Sequence, residues 1–563
     1  MTEAPWWFTE HYARLNIEDY QRAVDAHERA LQGAKSASSA IRVLGEWDAL
    51  RSSLFSQRNY ANTYFSLDSS AERARTEQEF WDQNAAGIHQ AEATFARAVL
   101  YCPELEALRE TFGEQFIRLK QCVAARSGDP HTQELFTSEA QLVSRYTSLL
   151  AQPGGEIAGK SYNPLNVRKL FDSPNSDTRR EAWQLRECFV AEHGPELDEI
   201  LDQLVACRTK MAHGLGFANY VALGHLVVER IGYDVDDVRC FTDGVRDFIV
   251  PVSAERFDLK RRRLGVSEFS VSDELASEPG TESGVLVSAP EMLDTLARVL
   301  AETAPELEEF VRAMKQSRLF YSAEHPRKTG QCQCAIFPDL RMPFVIADVD
   351  TTTKDAWALL HEFGHAFHAY RGRNAKLIDL IWPTSEACEL AAQMSSLCLP
   401  RMTHFFGTAA SANLRRELER RLLAVSLGAL MNDFQERLYR EPQLTPRARR
   451  QLWARLEREH MPWRKYTDLP TLHDGAALLL IPHLFVAPFS GLDFALSITC
   501  DLQFQARTRK YGQDAAARDY LAYCDQGGAQ AFPELLRTAH LDSPFERRTL
   551  QGLGELSRAL LDP

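Results

Sequence analysis

The sequence predicts a mainly α-helical protein with a small mixed β-sheet next to the helix that carries the residues HEFGH. Two observations lead to this fold class. Segments with helical polar–apolar periodicity recur with few glycine or proline breaks, as over residues 73–98 and 104–125. The one convincing β region lies over residues 321–349, and helical periodicity resumes after Ala356.

The first 165 residues are predicted to form an N-terminal helical region, 1–165. A Gly-rich stretch over 152–164 closes it and indicates a turn or a short hairpin. Helical periodicity continues over 177–263, and the Ser-, Glu- and Gly-rich residues 267–290 are expected to form a long surface loop. We therefore place a second region at 166–563.

A β-hairpin is predicted within the β region. The apolar runs 335–337 and 344–347 flank the turn-like residues 338–341. Pro343 lacks a backbone N–H, so it fits only a strand start or a sheet edge. An unpaired edge at this place would let an extended peptide add itself as a further strand.

Charge and composition exclude several classes of partner. The chain has 563 residues, and its 64 basic and 78 acidic residues give a net charge of −14. Such an excess of acid argues against a nucleic-acid or anionic-membrane partner. A hydrophobic content of 45% and a charged content of 25% are ordinary for a globular protein.

The cysteines and the N-terminus indicate a cytoplasmic protein. Eleven cysteines are scattered without a CxxC pair, which is typical of a reducing compartment. The opening residues, MTEAPWWFTEHYAR, lack the basic and apolar regions of a signal peptide. The longest apolar stretch, 475–492, contains two prolines and a histidine and is not expected to span a membrane. The oligomeric state stays open.

The most informative motif is HEFGH at residues 361–365. Positions three or four apart share one face of a helix, so the imidazoles of His361 and His365 are expected to converge on one metal ion. Glu362 would lie beside that ion, where a carboxylate can take a proton from a metal-bound water. The surrounding apolar residues recur with helical periodicity. The motif therefore predicts a metal-dependent active site.

A catalytic zinc ion uses three protein ligands, so one more is expected outside the motif. His368 shares the face of His361, but three ligands from one rigid helix rarely close around one ion, which favours a role in packing or in supporting a metal ligand. Glu386 and Glu389 share a face of a second predicted helix that begins near Pro383. From the residues alone, either glutamate can bind the metal while the other orients a ligand.

Residues 344–370 and 386–394 together resemble the zinc metallopeptidases of the thimet oligopeptidase and oligoendopeptidase F family, in particular its Pz-peptidase-like branch. Members carry a phenylalanine–glycine or similar pair inside the motif and a further histidine soon after it, as in 361–368. About 400 residues from Leu170 onward follow the family's order of motifs. Shorter matching motifs are GFANY at 216–220 and IPH at 481–483.

The resemblance implies a two-lobed helical shell around a deep substrate channel, with residues 1–165 as part of the channel wall. It implies one zinc ion, and it selects Glu389 as the third ligand because the family takes this ligand from a downstream glutamate in a small-residue context. The implied activity is endopeptidase cleavage of short unstructured peptides. Glu362 would act as the general base and His483 as a donor to the oxyanion.

The chain departs from the family pattern just after His483. Ser490, Gly491 and Phe494 stand where the family usually has tyrosines, whose hydroxyls hydrogen-bond the oxyanion. Phe494 keeps the ring but has no donor. Loss of one oxyanion donor lowers turnover roughly a hundred- to a thousandfold.

Ser396 is a second departure, because the family has a further glutamate there; losing such a carboxylate weakens metal affinity or activity roughly ten- to a hundredfold. His473 is a candidate substitute donor, with an exposed loop position as the alternative. Three functions follow: an oligopeptidase, a metalloenzyme recruited for another reaction on a peptide or peptide-like metabolite, and a non-catalytic peptide-binding relative. The retained ligands and Glu362 disfavour the third.

Overall fold

The computed structural model describes residues 4–126, 130–278, 285–322, 333–347 and 353–561. Within these residues the fold is mainly helical with two small sheets, which confirms the predicted fold class. The helices up to residue 150 are α1 (Trp6–His11), α2 (Ile17–Gln32), α3 (Ala37–Leu67), α4 (Glu72–Leu100), α5 (Leu105–Phe112), α6 (Glu114–Ala125) and α7 (Pro130–Leu150).

The helices that follow residue 165 form the larger part of the molecule. Up to the metal motif they are α8 (Ser176–Gly214), α9 (Tyr220–Val227), α10 (Val235–Gly244), α11 (Val250–Leu264), α12 (Ala289–Ala301) and α13 (Pro305–Ser317). From the motif onward they are α14 (Thr353–Gly372), α15 (Ser385–Ala392), α16 (Ser395–Cys398), α17 (Thr403–Phe406), α18 (Ala410–Arg440), α19 (Pro446–His460), α20 (Pro470–His473), α21 (Pro482–Phe485), α22 (Gly491–Tyr511), α23 (Gln513–Cys524), α24 (Phe532–Thr538) and α25 (Arg547–Leu561).

Side-chain caps fix several helix starts. Asn16 accepts hydrogen bonds from the backbone N–H groups of Glu18 and Asp19 at the start of α2. Asn175 caps α8 in the same way. Each cap satisfies backbone donors that have no partner within the helix, so these asparagines set where the helices begin.

The Gly-rich stretch forms the predicted hairpin, with β1 (Gly155–Ile157) antiparallel to β2 (Lys160–Tyr162). A second sheet has the order β3-β5-β4, where β3 is Phe320–Ser322, β4 is Gln333–Phe337 and β5 is Met342–Ala347. β4 and β5 form the antiparallel hairpin expected from the sequence, and β3 pairs with β5 in parallel, so the sheet is mixed.

Pro343 lies in the central strand, but at a position where no neighbouring strand needs its backbone N–H. It pairs with Ile336 of β4, whereas β3 reaches only residues 345–347 of β5. The proline therefore sits where β5 has one neighbouring strand, and its missing N–H breaks no ladder. β4 keeps an outer edge that no described strand covers.

The predicted long surface loop over 267–290 is wrong for its first part. Phe269, Val271 and Ala276 are buried, and residues 271–273 form a 3-10 turn. Glu274 is 3% exposed and accepts hydrogen bonds from Trp463 and Arg464, which explains the burial of an acidic segment. Residues 279–284 lie outside the described residues.

The N-terminal helices pack directly on the second sheet. The ring of Trp7 lies 5.4 Å from that of Phe337 and 5.2 Å from that of Phe344. The hydroxyl of Tyr60 donates to Asp339 at 2.9 Å, in the β4–β5 turn. The helices before residue 165 therefore share one core with the strands that precede the metal motif.

A buried ion cluster joins the same two regions. Asp379 accepts from Arg51 of α3 at 2.7 Å and from Lys120 of α6 at 2.8 Å.

Among the described helices, none combines the length and the apolar character needed to cross a membrane.

Candidate metal centre

Two crossing helices carry the candidate metal ligands. α14 presents His361 and His365 with ring centroids 4.7 Å apart, and α15 presents Glu389. Gly364 lies at the crossing, where an added Cβ would stand 2.6 Å from the Cα of Ala392. A side chain at this position would collide with backbone, so glycine lets the two ligand-bearing helices approach closely.

The three side chains predicted as ligands come together. Nε2 of His361 lies 3.5 Å from one carboxylate oxygen of Glu389, and Nε2 of His365 lies 3.8 Å from the other. Ligand atoms of all three residues lie within 4.8 Å of one another. Tetrahedral zinc with N and O ligands separates its ligand atoms by about 3.3 Å, so this set fits one ion with small adjustments.

The electrostatics also suit a cation. Burial lowers the pKa of His361 to about 4 and that of His365 well below its usual range, so both imidazoles stay neutral and free to ligate. Burial, with Asp493 and Glu362 nearby, raises the pKa of Glu389 to about 8. Its buried Oε2 makes no hydrogen bond to any described residue. A bound cation would supply the missing counter-charge.

The other candidate ligands lie outside the group. His368 is 1% exposed, and its ring packs 5.7 Å from that of Tyr523, consistent with the expected packing role. Glu386 is fully buried and accepts a hydrogen bond from Thr384 at 3.0 Å. Burial and the nearby Asp493 raise its pKa.

Glu362 has the properties of a general base. It is partly exposed on α14, and the backbone N–H of Cys334 in β4 donates to its carboxylate. Burial raises its pKa to about 7, and the Cys334 hydrogen bond opposes that shift. A carboxylate with a pKa near neutrality can both take up and release a proton at physiological pH.

Sequence reasoning missed the surroundings of His365. Nδ1 of His365 lies 3.1 Å from Sγ of Cys388, and the ring of Trp382 stacks against the imidazole at 6.0 Å. The signal available was the position of Cys388, directly before Glu389. Sequence alone gives no reason to aim that thiol at the second motif histidine.

His483 and Phe494 lie beside each other, with ring centroids 6.4 Å apart and perpendicular planes. Phe494 is 38% exposed, whereas the hydroxyl of Ser490 donates to the carbonyl of Ala487 within its own turn. His473 has a side chain 67% exposed, beside Asp474. The exposed position is therefore the better description of His473, and its use as a substitute donor has no support here.

Ser396 contacts a carboxylate from another helix. Ser396 Oγ donates to Asp501 of α22 at 2.5 Å, and Arg421 of α18 also donates to that carboxylate. Arg421 contributes to the lowered pKa of His361, so this buried network lies close to the metal ligands. Sequence comparison at position 396 alone does not reveal Asp501.

A helix-borne histidine pair with an adjacent glutamate, joined by a carboxylate from a second helix, is the site of a metallopeptidase. Comparison with protein families agrees. The peptidase M3 N-terminal domain matches residues 9–124, and peptidase family M3 matches residues 310–555. The two matches together cover more than half of the chain, and the chain belongs to peptidase family M3.

Solved structures of this family share the whole fold. A Pz peptidase A with an inhibitor is 29% identical, with a TM-score of 0.91 over 98% of this chain and 99% of its own. A protein from Bacillus anthracis, provisionally designated an oligoendopeptidase F, is 27% identical, with a TM-score of 0.86 over 98% and 97%. A search of curated protein sequences found no match.

Proposed function

We propose that this metallopeptidase is a zinc-dependent endopeptidase that cleaves short, unstructured peptides. The observation that carries the proposal is the convergence of His361, His365 and Glu389 around one point, with Glu362 adjacent. Family membership and the similarity to oligoendopeptidase structures support the same activity. We further propose that residues 1–165 wall one side of a substrate channel and that residues 166–563 carry the chemistry.

The peptide would bind in an extended form along the outer edge of β4. No described strand pairs with that edge, although Asn59 of α3 donates to the Ile336 carbonyl of β4, and Cys334 of β4 lies next to Glu362. Backbone hydrogen bonds to an edge strand hold a peptide without selecting its side chains. This geometry would place a scissile bond next to the general base and would exclude folded proteins.

His361, His365 and Glu389 would hold the zinc ion, which when bound acidifies water and polarises a carbonyl. Glu362 would remove the proton from the attacking water and deliver it to the leaving amine, so the carboxylate ends the cycle as it began. His483 would donate to the oxygen that gains negative charge. The scattered cysteines, free in the described part of the chain, support a reducing and cytoplasmic setting.

A second candidate is a different reaction on a peptide or peptide-like metabolite. The observation that favours it is the loss of oxyanion hydroxyls. Phe494 has none, and the Ser490 hydroxyl is engaged by the carbonyl of Ala487. A scaffold that has lost these donors can retain its metal and serve another reaction.

A peptide-library digest followed by mass spectrometry separates the two candidates. We expect new peptide termini with the wild-type protein, and neither with Glu362→Gln nor after metal chelation. Mass changes without chain cleavage would support the second candidate instead. Cleavage that persists in Glu362→Gln would overturn the proposed role of that carboxylate.

A further inference from the structure

The second motif histidine is held by a thiol. Nδ1 of His365 lies 3.1 Å from Sγ of Cys388, and this cysteine is 4% exposed. The ring of Trp382 stacks against the same imidazole, with ring centroids 6.0 Å apart. The thiol therefore lies beside the imidazole, inside the protein and one residue before Glu389.

The geometry assigns a role to each ring nitrogen of His365. Nε2 faces the carboxylate of Glu389 at 3.8 Å, so Nε2 is the nitrogen available to a metal ion. With Nε2 bound to a metal ion, the proton of the neutral imidazole would reside on Nδ1, which points at Cys388 Sγ and would donate to it. In that state the sulfur would fix both the tautomer and the rotation of the ring.

A sulfur acceptor is unusual in this position. Metal-bound histidines nearly always donate their second N–H to a carboxylate, a backbone carbonyl or water, which raises the basicity of the ligand. Thiol sulfur is only a weak acceptor. A histidine held by a thiol is therefore oriented without being made strongly basic.

We propose that Cys388 is a positioning residue that orients His365 for metal binding and, through its weak acceptor, sets the affinity of the site below that of a carboxylate-supported histidine. The proposal rests on the metal site of the proposed function. It adds that one side chain next to the third ligand tunes the strength of that site.

A purely structural role for Cys388 makes a different prediction. Buried cysteines often act as small apolar core residues, for which alanine is a mild replacement at any similar position. Cys398 of α16 is such a residue: it is fully buried, and its sulfur accepts from Thr303 rather than from a metal ligand. It serves as the matched control for loss of a buried thiol.

The test measures metal binding instead of turnover. Zinc dissociation constants are determined by chelator competition for the wild type and for Cys388→Ala, Cys388→Ser, Cys388→Asp and Cys398→Ala. Visible spectra of the Co²⁺-substituted proteins report the ligand geometry. Thermal unfolding of the metal-free variants confirms that each one folds.

We expect Cys388→Ala to weaken zinc binding roughly ten- to a hundredfold and to alter the Co²⁺ spectrum. Cys388→Ser should restore both, and Cys388→Asp should bind zinc as tightly as the wild type or more tightly. Cys398→Ala should change neither. Unchanged affinity and spectrum in Cys388→Ala would overturn the proposal, as would equal losses in Cys388→Ala and Cys398→Ala.

These outcomes are independent of peptide cleavage. A wild-type protein that binds zinc through a Cys388-supported site but cleaves no peptide would refute the endopeptidase function and leave this inference standing. If the protein cleaves peptides but its zinc affinity does not depend on residue 388, the endopeptidase function stands and the inference about Cys388 is refuted.

Discussion

Two largely buried carboxylates in this protein, those of Asp379 and Glu389, have opposite electrostatic surroundings. The Asp379 side chain is 13% exposed and that of Glu389 16%, so they are desolvated to a similar degree. Arg51 and Lys120 hold the pKa of Asp379 well below its usual range, whereas burial raises the pKa of Glu389 to about 8. Asp379 is paired with cationic side chains of the protein, whereas Glu389 has no cationic side chain beside it among the described residues, so a bound metal ion would supply its counter-charge.

The largest effect is expected from a substitution at the metal centre. Glu362→Gln keeps the shape of the side chain but removes the base, so we expect peptide turnover to fall roughly 10²–10⁴-fold. The measurement is kcat/KM on a peptide identified in the library digest. Zinc content, determined by elemental analysis, should stay at the wild-type level because this residue is not a ligand.

A Glu362→Gln protein that lost both metal and activity would count against this assignment. Such a result would place the carboxylate in the ligand set, and the division of roles between positions 362 and 389 would have to be redrawn.

The next largest effect is expected at the ion cluster. Asp379→Asn leaves Lys120 and part of Arg51 buried without a counter-charge, which costs about 3–5 kcal/mol. Urea unfolding of the wild type and the variant at pH 7 measures this cost. A difference under about 1 kcal/mol would mean that water or other groups compensate, and the contrast with Glu389 would fail.

The difference in unfolding free energy between the wild type and Asp379→Asn should become smaller as the pH falls. The pKa of Asp379 is lower in the folded state than the unfolded value of about 3.9, so its stabilisation is fully present above pH 4. It is lost progressively as the pH falls toward the folded-state pKa. Wild type and Asp379→Asn should therefore differ less at pH 3 than at pH 7, and a difference that grows on acidification would contradict the assignment.

A smaller effect, in the opposite direction, is expected from Phe494→Tyr. Phe494 is partly exposed beside His483, so a hydroxyl can be added there without displacing core residues. We expect kcat to rise by as much as roughly a hundredfold, because the new donor can serve the oxyanion. Phe494→Leu is the control and should bring no gain. An unchanged kcat in Phe494→Tyr would show that the missing hydroxyl does not limit turnover.

The sequence predicted what depends on local periodicity. The HEFGH helix, the β4–β5 hairpin and the mainly helical class follow from spacings of two to four residues. The choice of Glu389 over Glu386 needed the family resemblance, because both lie on one helix face and are partly or fully buried.

Contacts between distant segments were out of reach for sequence reasoning. Asp379 meets Arg51 across 328 positions, and Asp501 meets Ser396 across 105. The burial of residues 269–276 was likewise missed, because the partners of Glu274 lie almost 190 residues away. In each case the partner of the polar side chain lies far along the chain, and only the fold brings the two together.

The smallest expected effect comes from the same kind of pair on the surface. Arg371 donates to Asp525, as Arg51 does to Asp379, but the Asp525 side chain is 44% exposed. Water already solvates both groups there, so Asp525→Asn should change the free energy of unfolding by less than about 1 kcal/mol, and salt should reduce even that. The two variants are measured by the same urea titration: Asp525 is the more exposed and pairs with Arg371, whereas Asp379 pairs with both Arg51 and Lys120. If Asp525→Asn lowered the free energy of unfolding as much as Asp379→Asn, ion pairing itself and not desolvation would set the strength of these contacts. Burial of Glu389 without a cationic side chain would then no longer indicate a cation site.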